Sequence, residues 1–249
     1  MNQYVQLVEE LSINAWPSYQ TKLYDGWLIR NSSFYTHRTH CVNIIGNSLL
    51  PIGDKITYCE QEYKRFKTPA IFRINPIFHQ NLDTLLINRG YQVEHITDTY
   101  IMDLTKYTPK NYSEINVDLS EDIQNDWIQA LFHLNKTENP RHLSIVPIMY
   151  EAIPCDTIAA SIVIDKQIVA TGLAIMERDH VGLYAIYVDP SHRNNNYAKA
   201  ICNALLSEAK YRKYSNAYLQ VVQNNDIAKQ LYKSLGFQFF YTYWFRVKH

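Results

Sequence analysis

The stretch of sequence that decides the fold lies in the last third of the chain. It reads Leu183-Tyr184-Ala185-Ile186-Tyr187-Val188-Asp189-Pro190 and, two residues later, Arg193-Asn194-Asn195-Asn196-Tyr197-Ala198. The apolar run that ends at a proline predicts a strand over 181–188, and the apolar spacing that follows predicts a helix over 196–212. A strand, a polar loop and a helix N-terminus in this order favour an anion site, because the first N–H groups of a helix have no partner within it.

A second motif follows the first along the chain. It reads Asn225-Asp226-Ile227-Ala228-Lys229-Gln230-Leu231-Tyr232-Lys233-Ser234-Leu235-Gly236-Phe237. Its spacing predicts a helix over 226–235 with Asn225 as the N-cap. Ala228 and Tyr232 lie four residues apart and therefore share one face of that helix. Tyr232 is either a tyrosine of the core or a phenol that protonates a leaving group.

In this order the two motifs resemble the GNAT superfamily of acyl-CoA-dependent N-acyltransferases, over most of residues 113–249. The loop motif of that family is Arg or Gln, two residues, Gly, one residue, and Gly or Ala. Arg193 and Ala198 match its ends, whereas Asn196 stands where glycine is usual. Glycine is preferred there because the loop needs a backbone with positive φ, and asparagine is the next best residue in that conformation.

The resemblance implies an enzyme that transfers an acetyl group from acetyl-CoA directly to an amine, with no covalent enzyme intermediate and no metal. It also implies a splayed strand whose free backbone groups pair with the pantetheine arm, at Ile186, Tyr187 and Val188. The same resemblance assigns the remaining cofactor contacts to Arg193, Asn194, Asn195, Asn196, Tyr197, Ala198, Asn225, Ala228 and Tyr232. Of these, Tyr232 is the implied general acid, which protonates the departing thiolate.

The sequence assigns no single general base. Glu177, Asp179 and His180 cluster at a turn between two predicted central strands, but a solvated hairpin explains them more simply than catalysis does. Tyr184 and Tyr187 are further residues that we expect to line the site and to orient a water.

The chain divides at the polar, proline-containing segment 106–112. We expect an α/β protein with a mixed sheet, built from two tandem GNAT-like domains over residues 1–105 and 113–249. The first domain echoes the strand–helix–Gly–aromatic–strand ending of the second, with Gly90 in the place of Gly236. Because such a unit is common, the echo is either a degenerate copy, which we favour, or a coincidence. Since no phosphate loop precedes this copy, we expect the first domain to hold no cofactor and to shape the acceptor pocket.

Local patterns predict the remaining elements. Amphipathic spacing predicts helices over 2–15, over 121–135 with its start at Ser120, and from Pro140 to about residue 154. Alternating or continuous apolar runs predict strands over 69–74, 99–104, 113–119, 157–164, 167–176, 217–222 and 237–247.

Composition excludes some classes of function. Lysine plus arginine and aspartate plus glutamate both total 24, so the formal net charge is zero and nucleic acid is an unlikely partner. The four scattered cysteines and the lack of an export segment favour a cytoplasmic protein with reduced thiols, and no apolar stretch is long enough for a membrane. We expect the acceptor to be a small-molecule or peptide amine.

Other interpretations have less support. A non-catalytic CoA-binding regulatory module remains an alternative, and a transferase using aminoacyl-tRNA is disfavoured by the neutral charge and the short chain. His37, His40 and Cys41 form an H-x-x-H-C cluster, but metal sites need three or four ligands with supporting partners, so we predict no metal there.

Overall fold

The computed structural model describes residues 2–248, and over this range it contains seven helices and eleven strands. The helices are α1 (Asn2–Ala15), α2 (Ile52–Arg65), α3 (Gln80–Asn88), α4 (Asn125–Asn135), α5 (Pro140–Glu151), α6 (Tyr197–Tyr211) and α7 (Asp226–Leu235). The strands are β1 (Gln20–Tyr24), β2 (Trp27–Asn31), β3 (Val42–Ile44), β4 (Ile71–Ile74), β5 (Gln92–Asp103), β6 (Asp118–Ser120), β7 (Asp156–Ile164), β8 (Gln167–Glu177), β9 (His180–Val188), β10 (Asn216–Val222) and β11 (Gln238–Val247). None of the described helices is long and apolar enough to cross a bilayer.

All eleven strands belong to one mixed sheet, in the order β1-β2-β3-β4-β11-β5-β10-β9-β8-β7-β6. At its centre, β11 lies between β4 and β5, and β5 lies between β11 and β10, with antiparallel pairing throughout. The last strand of each half of the chain is therefore inserted between the last two strands of the other half. This reciprocal exchange joins the two halves through backbone hydrogen bonds.

The two halves repeat one order of elements. The first half runs β1-β2-β3-α2-β4-α3-β5 and the second β7-β8-β9-α6-β10-α7-β11. In each half the third and fourth strands are parallel, as β3 is to β4 and β9 to β10. The interpretation of the first half as a degenerate copy and the boundary between residues 105 and 113 both stay predictions.

Helices cover both faces of the second half of the sheet. Ala174 and Met176 of β8 face a core completed by α6 and α7, whereas the alternating Leu173 and Ile175 face a core completed by α4 and α5. α1 joins the second of these layers through Ala15. Because successive side chains of a strand point to opposite faces of the sheet, alternate residues of β8 pack against different layers of helices.

Most predicted elements are present, but the start of the second half differs from expectation. The strand predicted over 113–119 is only the three-residue β6, and the helix predicted from residue 121 begins at Asn125. Ser120 does not start that helix, because it pairs with Ala159 in the sheet and its hydroxyl donates to the Asp122 carbonyl at 2.8 Å. The four cysteines are free thiols, as predicted.

Candidate active site

β9 and β10 separate near the middle of the sheet. Their parallel pairing ends at Leu183 and Leu219. Beyond this point β9 remains paired with β8 as far as Val188, and β10 remains paired with β5 as far as Val222. A wedge-shaped gap with unpaired inner edges therefore opens between the two strands. The splay that the resemblance implied is present at the predicted positions of β9.

A bulge in β9 marks the start of the gap. Ala185 and Ile186 together oppose the single residue Gly172 of β8. Ala185 has a φ of 50°, and its carbonyl accepts a hydrogen bond from Thr171 Oγ1 at 3.0 Å. Gly172 lets α6 lie close to the sheet, since a Cβ there would lie 2.3 Å from Cγ2 of Ile201. The bulge bends β9 away from its former neighbour.

The loop between β9 and α6 exposes its backbone. Asn194 and Asn196 have φ values of 67° and 59°, in the left-handed region that favours glycine and tolerates asparagine. Arg193 and the three asparagines are exposed. Asn196 holds the N-cap position of α6, but its side chain makes no capping hydrogen bond. The first-turn N–H groups of α6, from Tyr197 onwards, are therefore left without the usual cap.

Asp189 fixes the entry to this loop. Its carboxylate accepts hydrogen bonds from the hydroxyl and from the backbone N–H of Ser191, the latter at 2.8 Å, and these bonds lower the pKa of Asp189. Its own N–H donates to the Val169 carbonyl at 2.8 Å. The loop thus leaves the sheet at a defined angle.

The second motif forms the helix that was predicted for it. Asn225 is the N-cap of α7, and its side-chain oxygen accepts a hydrogen bond from the Ala228 N–H at 3.1 Å, which confirms the predicted cap. Gly236 ends the helix with a φ of 104°. Ala228 and Tyr232 both face the core that lies under α6.

Tyr232 is packed, and its phenol oxygen stays protonated at neutral pH. The side chain is 9% exposed, and its ring meets Phe237 edge to face at 6.1 Å between centroids. Burial raises the pKa of Tyr232, and neighbours that include Cys202 and Tyr187 add to the rise. A neutral phenol of this kind can donate a proton but is a poor base. Its roles in catalysis and in cofactor contact remain predictions.

The three candidate bases lie at the far end of β9 from the gap. Glu177 accepts hydrogen bonds from Asn14 Nδ2 at 3.1 and 3.2 Å, and Asp179 accepts from the Ser215 N–H at 3.0 Å. His180 is buried rather than solvated, and its Nε2 lies 3.2 Å from the Tyr4 hydroxyl. The solvated hairpin therefore holds for Asp179, whereas for the buried His180 it is wrong, because that side chain packs against Tyr4.

Tyr184 lies at the gap itself. It occupies the first position of β9 beyond the pairing with β10, and its hydroxyl donates to the Tyr218 hydroxyl of β10 at 2.9 Å. Burial raises the pKa of Tyr184. Tyr187 is 42% exposed and close enough to influence the pKa of Tyr232. Both tyrosines are thus placed to line the gap, as expected.

The H-x-x-H-C cluster separates into different environments. His40 is buried, and its Nδ1 accepts hydrogen bonds from the Ser32 and Phe34 N–H groups, both at 3.2 Å, while burial lowers its pKa to about 4. His37 instead meets two residues that the sequence did not connect with it, since its imidazole, the Glu94 carboxylate and the His95 imidazole hold ligand atoms within 4.8 Å of one another. His40 is thus a structural histidine.

Sequence reasoning expected the first half of the chain to shape the acceptor pocket but did not identify the residues that reach it. The connection between β2 and β3 brings Tyr35 against His142 of α5, with ring centroids 5.1 Å apart. Tyr150 of α5 and Arg38 belong to the same neighbourhood, because both Tyr35 and Arg38 affect the pKa of Tyr150. The dense aromatic residues of segment 34–40 were the available signal.

Known proteins share both the sequence pattern and the fold. Residues 4–245 match the family described as "Probable histone acetyltransferase Rv0428c C-terminal". The chain is 25% identical over 250 residues to an uncharacterized N-acetyltransferase, YobR, of Bacillus subtilis (strain 168), and the alignment covers 98% of each chain.

Two solved structures show the same architecture. A GCN5-related N-acetyltransferase from Kribbella flavida superposes with a TM-score of 0.68 at 12% identity, covering 99% of this chain and 92% of that one. A tandem GNAT protein from the clavulanic acid biosynthesis pathway superposes with a TM-score of 0.61 at 10% identity, covering 77% of this chain and 67% of that one. At these identities the likeness concerns the fold.

The family match spans nearly the whole chain, and the splayed β9, the left-handed asparagine loop and the α7 helix lie at the positions that the sequence motifs predicted. The chain therefore belongs to the Rv0428c C-terminal family and is an N-acetyltransferase of the GNAT superfamily.

Proposed function

We propose that the chain transfers an acetyl group from acetyl-CoA to an amine by direct attack within a ternary complex. The observation that supports this most is that two sets of backbone groups without hydrogen-bond partners lie close together, one on the inner edge of β9 and one at the N-terminus of α6. The gap beyond Leu183 and the uncapped N-terminus of α6 are joined by a loop of only eight residues, 189–196.

The loop would receive the pyrophosphate of acetyl-CoA. Left-handed φ values at Asn194 and Asn196 turn successive N–H groups toward one side, and the positive end of the α6 dipole adds to the attraction for an anion. Arg193 and Tyr197 flank these N–H groups, and Ala198 leaves room for close approach. The residues present therefore fit a diphosphate without a glycine in the loop.

The inner edge of β9 would hold the pantetheine arm. Ile186, Tyr187 and Val188 lie beyond the end of the pairing with β10, so their inner backbone groups are available to pair with an amide-bearing chain. Across the gap, Asn225 can donate from its amide nitrogen while its oxygen caps α7. Ala228 keeps that wall of the gap flat.

Tyr232 would act as the general acid. The amine nitrogen attacks the thioester carbonyl, the carbon–sulfur bond breaks, and the sulfur takes a proton from the phenol. The proton that the nitrogen loses on becoming an amide then restores the phenol. A backbone N–H of the splayed β9 would face the thioester oxygen, where negative charge grows. The ammonium form of the amine must first lose a proton, and Tyr184 and Tyr187 are placed to orient a water that accepts it.

A thiol-release assay with acetyl-CoA and a panel of small-molecule and peptide amines tests this proposal. We expect release of CoA thiol only when an acceptor amine is present, together with a mass gain of one acetyl group on that amine. Calorimetric binding of CoA without transfer to any amine would reduce the site to a CoA-binding module. Transfer without a measurable CoA site at loop 193–198 would overturn the assignment of the loop.

A further inference from the structure

The connection between β2 and β3 crosses from the first half of the chain to the acceptor side of the gap. The Ser33 carbonyl accepts a hydrogen bond from His142 Nε2 of α5 at 2.9 Å. Tyr35 packs between the same histidine and Trp16, with ring centroids 5.1 and 6.4 Å away. Segment 33–38 is therefore a wall built onto the helices of the second half.

Two arginines in this region differ in their hydrogen bonding. Arg30 is 2% exposed, and its guanidinium donates to the carbonyls of Trp16 and of Arg38, the latter at 2.8 Å. Its hydrogen bonds fix the backbone at Arg38. The Arg38 side chain is half-buried, and within residues 2–248 it has no carboxylate or hydrogen-bond partner. A guanidinium that is partly removed from water and left unpaired is costly, so it indicates an anion that arrives with a ligand.

The wall segment that carries Arg38 reaches the gap, because Tyr35 packs against the same core as Tyr184 and Ala185 of β9. Burial raises the pKa of Tyr35, Tyr150, Tyr184 and Tyr232, and the positive charge of Arg38 opposes the rise in each of the four. These tyrosines come from the wall segment, from α5, from β9 and from α7. Arg38 therefore lies within electrostatic range of both sides of the gap, including the proposed general acid.

We infer that Arg38 binds a carboxylate of the acceptor, so that the acceptor is a small amine carrying a carboxylate, with a free amino acid as the simplest member of the class. This inference rests on the proposed function. The guanidinium forms paired hydrogen bonds with a carboxylate, and phenol hydroxyls add further donors. The covering wall 33–38 favours a small acceptor over a lysine on a folded protein.

The rival anion is a phosphate of CoA. In the proposed function the diphosphate is held by the left-handed loop 193–196 and the α6 N-terminus, which follow the C-terminal end of β9. Arg38 instead belongs to the wall, whose Tyr35 packs against the core that α4 and α5 complete. CoA affinity is therefore the measurement that separates the two anions.

The test uses the full chain, the twenty common amino acids and their carboxamides as acceptors. In the wild-type protein we expect each accepted amino acid to exceed its carboxamide by at least tenfold in kcat/KM. Arg38→Ala should raise KM for the amino acid by about 10- to 100-fold, the range of one lost charged hydrogen-bonding pair, with a smaller effect on kcat. Arg38→Lys should restore part of the loss. The carboxamide KM and the CoA affinity should not change.

Arg141→Ala is the matched control, because this arginine also contacts the wall, at Ser33 Oγ, but stacks over the Tyr19 ring. It should leave the acid-to-amide preference intact. Calorimetry of the amino acids on the CoA-saturated protein gives a reading that does not depend on turnover. The inference is overturned if no amino acid binds or reacts, if Arg38→Ala affects acid and amide equally, or if it weakens CoA instead. Failure of CoA binding in the wild type would overturn the proposed function itself.

Discussion

The two halves of the chain build the same strand–loop–helix corner and use it in opposite ways. In the second half, the loop before α6 is exposed and the helix begins without a side-chain cap. In the first half, the equivalent loop before α2 is closed by a carboxylate of the protein. Asp25 accepts hydrogen bonds from the N–H groups of Leu49 and Leu50, at distances of 2.9 to 3.1 Å.

A buried lysine completes the first corner. The ammonium of Lys55 is fully buried, lies 3.1 Å from the Asp25 carboxylate and stands 4.2 Å from the centre of the Trp27 ring. The first corner is thus an anion site already filled by Asp25, whereas the second corner is left open for a ligand. In the proposed function, one fold position serves stability in one half and CoA binding in the other.

The helices α3 and α7 show a similar difference between the two halves. When α3 and α7 are aligned on Gly90 and Gly236, Leu86 takes the place of Tyr232 and Leu82 the place of Ala228. Both leucines are buried in the core of the first half. The first half therefore has two buried leucines at the positions where the second half has an alanine and a tyrosine.

Replacing the phenol gives the largest effect that this comparison predicts. Tyr232→Phe should lower turnover by about 10²- to 10⁴-fold, because the departing sulfur loses its proton donor, and should leave CoA affinity nearly unchanged. Steady-state kinetics under conditions where chemistry limits the rate measures it, with calorimetry of CoA alongside.

Tyr91→Phe is the matched control for the phenol. This tyrosine follows the C-terminal glycine of α3, is 2% exposed and donates its hydroxyl to Glu60 at 3.0 Å. It should not change turnover. Should Tyr232→Phe turn over as fast as the wild type, Tyr232 is a packing residue like Leu86.

A charge in the open corner should have the next largest effect. Asn196→Asp should weaken CoA binding by roughly tenfold or more, because a carboxylate would face the diphosphate at the start of α6. Asn196→Gly should bind as well as the wild type or better, since glycine adopts positive φ without strain. Calorimetry with CoA measures both variants. Equal affinities for Asp and Asn at this position would remove the diphosphate from the loop.

Neutralising the closed corner should affect stability and leave CoA affinity alone. Asp25→Asn leaves the buried Lys55 without its counter-charge and should lower Tm by about 3–10 °C at pH 7. Asn196→Gly, in the open corner, is the matched control and should not share this loss. A crystal structure with CoA bound between Gly46 and Pro69 would show that the first corner is not closed.

The stability difference should depend on pH in a defined direction. The hydrogen bonds from Leu49 and Leu50 lower the pKa of Asp25, and Lys55 lowers it further. A carboxylate with a lowered folded pKa contributes stability above its unfolded pKa, about 3.9, and loses the contribution as pH falls through the folded value. The Tm gap between wild type and Asp25→Asn should therefore narrow below about pH 4. A gap of constant size would mean that Asp25 acts through shape alone.

The sequence was sufficient for the elements of the second half that carry their own signals. The α7 helix was predicted over 226–235 and is found there, because a capping asparagine and a terminal glycine mark both ends. The left-handed conformation of Asn196 followed from the position of a missing glycine. Such signals are local, so one sequence reveals them.

The exchange of β5 and β11 and the surroundings of Arg38 could not be predicted in this way. Both depend on which distant strands pair, and β5 would satisfy its backbone equally well beside several partners. The closed corner was missed for the same reason, since Asp25 reaches Lys55 only through the fold. The contacts between the two halves of the chain are therefore known only from the structure.

The smallest predicted effect concerns the two glycines that end α3 and α7. Gly90 and Gly236 have φ values of 88° and 104°, so a side chain at either position strains the backbone. Gly90→Ala and Gly236→Ala should each lower the free energy of unfolding by about 1 kcal/mol. A Cβ at Gly90 would meet no atom within 4 Å, whereas one at Gly236 would lie 3.4 Å from Met102 Sδ, an ordinary contact. The two losses, measured by denaturant titration, should thus be equal within a few tenths of a kcal/mol, with CoA affinity retained. A loss several times larger at Gly236 would show that the turn after α7 contributes more to stability than the turn after α3. The difference between the two halves would then extend to this turn as well as to the loop before the preceding helix.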